Sequence, residues 1–200
     1  YVLLAGNVNA VPSHKEPGII PNLDSMFVDQ WFVDGVPDTA SFRRPAAAIG
    51  RFPAWSISQL ASMVSKTIAY ESQPDSPWMR KAIAVADSGV MFEGVAAQHL
   101  RTLSSGWSDT LSVHVRRGSP LHLSRRQFFD RINQGASIVL LTGYTDHMFR
   151  FSHTSYFTTW DVDSLANGWR TPLWIMQSQR FDRADTLTTI VNLLQAENKG

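Results

Sequence analysis

KAIAVADSG, residues 81–89, reads as a buried strand, and from it to the end of the chain strands alternate with helices. FEGVAAQHLRTLS (92–104) is predicted helical and DTLSVHVRR (109–117) a second strand. SRRQFFDRINQG (124–135) is a helix with Ser124 as its cap and Gly135 as its stop. ASIVLLTG (136–143) is the third strand and VDSLANGW (162–169) a short helix. PLWIMQS (172–178) is the fourth strand, and TLTTIVNLLQAENKG (186–200) the closing helix. This alternation predicts one parallel sheet, built from strands 81–87, 109–116, 136–142 and 172–177 and flanked by helices. In such sheets ligands and chemistry collect at the carboxyl ends of the strands. The ends to inspect are Gly143 onward and Met176 onward.

Upstream the pattern is looser. YVLLAG (1–6) suits a buried strand, and residues 7–45 are loop-rich, punctuated by Pro12, Pro17, Pro21, Pro37 and Pro45. AAAIGRFPA (46–54) gives a small strand ending at Gly50. In SISQLASMVSKTIAYES (56–72), Ile57, Leu60, Met63, Val64 and Ile68 recur at helical spacing behind a Ser56 cap. Pro74 and Pro77 then break the chain. This divides it into a smaller N-terminal subdomain, residues 1–77, and a second subdomain, residues 78–200.

Composition narrows the function classes. Two hundred residues with 44% hydrophobic content suffice for a core. A net charge of +1 and a charged fraction of 18% give no nucleic-acid footprint. There is no cysteine, which excludes disulfides, thiolate metal sites and a cysteine nucleophile. No apolar run reaches the length of a membrane span. Opening on a strand and closing just after a helix, the chain reads as a C-terminally truncated segment of a longer protein.

Several stretches resemble the gingipain family of cysteine peptidases, whose fold is related to that of caspases. YVLLAGNVNAVP is similar to the family's opening strand and turn, and AAAIGRFPAWSISQLASMVSKTIAYE to its Gly-Arg-Phe-Pro segment and following helix. WMRKAIAVAD resembles the strand that opens the catalytic subdomain. DVDSLANGWRTPLW resembles the segment joining the two catalytic strands. The resemblance implies an α/β fold of caspase-haemoglobinase type, with residues 78–200 as a catalytic-like subdomain. It further implies a bacterial protein at the cell surface or outside the cell.

The family's base is the histidine of a Gly-His-Gly motif, and its nucleophile the cysteine of Cys-x-x-Gly-x-Phe. Here the first motif reads Gly143-Tyr144-Thr145. With Phe181 as the anchor of the second, Gln179 stands at its glycine and Met176 at its cysteine; a shift of one would put Gln177 there. Tyrosine, with an ordinary pKa of about 10, is a poor base at neutral pH. A thioether cannot become a thiolate. Thr145 replaces the glycine of the oxyanion region beside Gly143. The resemblance therefore implies a pseudopeptidase that binds a peptide or protein, or scaffolds other domains of the same chain.

The runner-up is a rebuilt hydrolase with Ser178 as nucleophile and His147 as base, oriented by Asp146 or more remotely Asp161. Ser178 lacks the glycine-flanked turn that exposes a hydrolase serine, so we read it as a turn residue and His147 as solvent-facing. Among the other histidines, His14 and His122 read as loop residues, His99 as helical and His114 as part of a strand, with no metal-helix spacing. Asp24, Asp29, Asp34 and Asp38 have the oxygen chemistry of a calcium loop, which family members can bind, but lack its spacing and read as solvated turns. Asp87 ends a strand where it could line a substrate pocket, or it caps the next helix. Trp31, Trp55, Trp78, Trp160, Trp169 and Trp174 are expected in interdomain packing.

Overall fold

The computed structural model describes residues 1–16, 26–34, 46–73, 75–87, 90–103, 107, 109–114, 118–143, 148–151, 154–177 and 196. In chain order these form β1 (Val2–Ala5), β2 (His14–Glu16), β3 (Met26–Val28), β4 (Ile49–Phe52) and α1 (Ile57–Glu71). Then come β5 (Lys81–Ala86), α2 (Val90–Leu103), β6 (Asp109–His114), α3 (Arg125–Gln134) and β7 (Ile138–Thr142). β8 (Met148–Phe151), β9 (Thr154–Thr158) and β10 (Leu173–Gln177) complete the set.

The four strands expected in one sheet are in one sheet. Its order is β10-β7-β5-β6, and every neighbouring pair is parallel. The central strand β5 explains how the layers form. Side chains of a strand alternate between faces. Ile83 and Val85 join Val139, Leu141, Phe128, Ile132 and Phe157 in one core cluster. Ala82, Ala84 and Ala86 meet Ala96 and Leu100 of α2 in the other. Small residues on that face let α2 lie close; on the opposite face large residues fill the space under α3. Burial on both faces is the usual condition of an all-parallel sheet.

Local chemistry fixes the helix ends. Ser56 Oγ accepts from Gln59 N at 3.2 Å and caps α1. Ser124 and Gln127 form a reciprocal capping box at the start of α3. Gly135 stops that helix with φ +93°, and a Cβ there would lie 3.0 Å from Arg170 Cδ and 3.1 Å from Trp78 Cβ. Both the backbone conformation and the crowding select glycine.

The N-terminal part differs more from expectation. β1 and β4 pair in parallel as a separate two-stranded sheet, and β4 runs through Gly50 to Phe52 instead of stopping there. Two antiparallel hairpins, β2–β3 and β8–β9, occupy stretches read as loop, so His14 belongs to a strand. The short helix expected at 162–169 is a 3-10 segment at Thr159–Ser164. The closing helix lies outside the described residues, Ala196 excepted.

Arg51 organises the N-terminal loops. Its guanidinium donates to both Asp29 carboxylate oxygens at 2.6 Å, to the Gly6 and Val11 carbonyls at 2.8 Å, and to Ser13 Oγ at 3.0 Å. Burial raises the Asp29 pKa, but the bonds from Arg51 and Ser13 and the Arg51 charge outweigh it, leaving the carboxyl below its usual value. α1 bridges to the second part of the chain: Tyr70 packs edge-on against Trp78, and its hydroxyl donates to the Ser137 carbonyl at 3.4 Å. The buried Lys66 donates to the Ala196 carbonyl at 2.9 Å.

Candidate functional site

The strand order places a crevice. From β5 the chain first adds β6 on one side and then returns to add β7 on the other. The path reverses between β5 and β7, and ligand sites of open α/β sheets lie at the carboxyl ends of such a pair. Asp87 follows β5 and Gly143 follows β7.

These two residues touch. Asp87 N donates to the Thr142 carbonyl at 2.9 Å, extending the sheet by one bond beyond the strand ends. A Cβ built on Gly143 would stand 2.3 Å from the Asp87 Cβ and 2.9 Å from its Oδ2. The position accepts only glycine because the Asp87 side chain lies across it. Asp87 is buried, as are Thr142 and Gly143, and among the described residues the Thr142 hydroxyl has no hydrogen-bond partner. The β5–β7 switch point is thus a tightly packed, buried strand end with a carboxylate against it.

β10, which carries Met176, is the other neighbour of β7, so the two strands expected to bear the degenerate pair are adjacent and parallel. Met176 pairs with Leu141 and Gln177 with Thr142, which sets Met176 inside the strand, two positions before the level of Gly143. Tyr144, Thr145, Asp146, His147 and Ser178 lie outside the described residues, and so do Asp24 and Asp38.

Other candidates have different work. Asp161, weighed as a remote orienting group, accepts from Thr158 N and Oγ1 at 2.8 Å with one oxygen and from Arg125 with the other. It closes a turn and holds the start of α3. Asp29, read as a solvated turn residue, is the ion-pair partner of Arg51, so its oxygens are occupied and unsuited to calcium. Among the described residues no three histidine or carboxylate groups converge as a metal site, and the aspartates there do not fit one. Trp78 is buried and Trp174 stacks on Phe157 at 5.7 Å. Trp31, Trp55, Trp160 and Trp169 are exposed, against the expectation of interdomain packing. His14 stacks on Trp31 at 5.2 Å.

Sequence reasoning found Asp87 and Gly143 separately but not their contact. The available signal was that each follows a strand directly; which strands are neighbours is not written locally.

A parallel sheet with helices on both faces and a topological switch between β5 and β7 defines an α/β protein of the doubly wound kind. Residues 1–200 match Peptidase_C25, peptidase family C25, and the chain belongs to that family. Its fold is that of the Arg-specific cysteine proteinase gingipain R (RgpB), with a TM-score of 0.77 at 22% identity over 100% of this chain and 46% of that one. The complex of Porphyromonas gingivalis RgpB pro- and mature domains gives 0.76 at 22% identity, over 98% of this chain and 46% of that one. A further solved protease gives 0.76 at 16% identity, over 99% and 42%. The chain therefore spans less than half the length of these solved proteins. No curated protein matches it by sequence. The caspase-like architecture implied by the resemblance is the observed one.

Proposed function

We propose that this chain is a pseudopeptidase: a gingipain-type fold without the covalent chemistry, acting by binding a peptide or protein or by scaffolding a larger molecule. The observation that carries this reading is the absence of cysteine from all 200 residues. In the family the thiolate attacks the scissile carbonyl, and without it no acyl-enzyme can form by that route. Residues 176–180 read Met-Gln-Ser-Gln-Arg, so neither register considered for the nucleophile supplies a thiol. On the motif reading Tyr144 takes the place of the family's histidine, and a phenol is a poor general base at neutral pH.

What remains is the crevice. Asp87, buried at the end of β5 against Gly143, is our candidate for the base of the region where a bound segment would lie. We assign the chain to the cell surface or the extracellular space, with residues 1–77 and 78–200 as its subdomains and further domains of the same protein as its partners. Among the described residues no helix is long and apolar enough to cross a membrane.

Labelling tests the reading. A thiol-directed acylating probe and a serine-directed fluorophosphonate should both leave the chain unmodified, while a peptide array should yield bound and uncleaved sequences. Fluorophosphonate labelling that disappears in Ser178→Ala would replace this reading with the rebuilt hydrolase.

A further inference from the structure

We draw no further inference here: the strongest candidate, the apolar surface patch of Leu173 and Ile175 on the outermost strand β10, carries nothing because nothing in the structure shows what covers it.

Discussion

At Gly143 a single methyl group is the difference between a fitted and an overfilled strand end. The Cβ of an alanine there would stand 2.3 Å from the Asp87 Cβ, and that atom is fixed to a backbone bonded to Thr142. Gly143→Ala should therefore destabilise the fold by about 1–3 kcal/mol, the usual range for overpacking, measured as a lower denaturant midpoint. The residue before it has the opposite flaw. Among the described residues the buried Thr142 hydroxyl has no hydrogen-bond partner, and an unmade buried bond costs about 1–3 kcal/mol. Thr142→Val keeps the shape and removes that cost, so the variant should be more stable by roughly 1 kcal/mol in the same assay. Gly143 was legible in the sequence as the end of an apolar run. The reason it must be glycine was not, since that reason is the side chain of a residue 56 positions earlier on a neighbouring strand.

At the level of elements, α1 shows where periodicity misleads. Ile57, Leu60, Met63, Val64 and Ile68 share a helical spacing, but Met63 is buried and Ile57, Val64 and Ile68 are exposed. A helix that is apolar on two sides gives the same pattern as one with a single broad face, and only packing separates them. The buried face also holds Lys66, whose pKa burial lowers from 10.5 to about 8. Between those values the unfolded chain holds a proton that the folded chain has released, so stability rises with pH across that window. Thermal melts of the native chain and Lys66→Met from pH 8 to 10 should show this rise in the native chain alone; parallel curves would contradict it. Caps were legible because they are local: Ser56, Ser124 and Gly135 act where the sequence put them. The hairpins β2–β3 and β8–β9 were not, because their strands are only three to five residues long, too short for a clear alternation to show.

For the whole molecule, the alternation of strands and helices announced a parallel sheet, and the family resemblance supplied its caspase-like arrangement. The order β10-β7-β5-β6 itself is not encoded in any window of sequence, yet it is what brings Asp87 to Gly143 and sets β10 beside β7. The architecture of a peptidase thus persists in a chain without the thiol that such a peptidase uses. Restoring two side chains should not restore catalysis. Met176 pairs with Leu141 inside the strand. On the proposed motif reading, which puts Thr145 and Gln179 where the family has glycines, Tyr144→His with Met176→Cys should remain far below the turnover of an active family member. The most direct measurement is turnover by the unmodified chain, incubated with a proteome-derived peptide library and followed by mass spectrometry of new peptide ends. The account predicts no cleavage above a buffer control at any pH at which the fold persists. Reproducible cleavage that copurifies with the chain and is abolished by substitution at its own strand ends would contradict it.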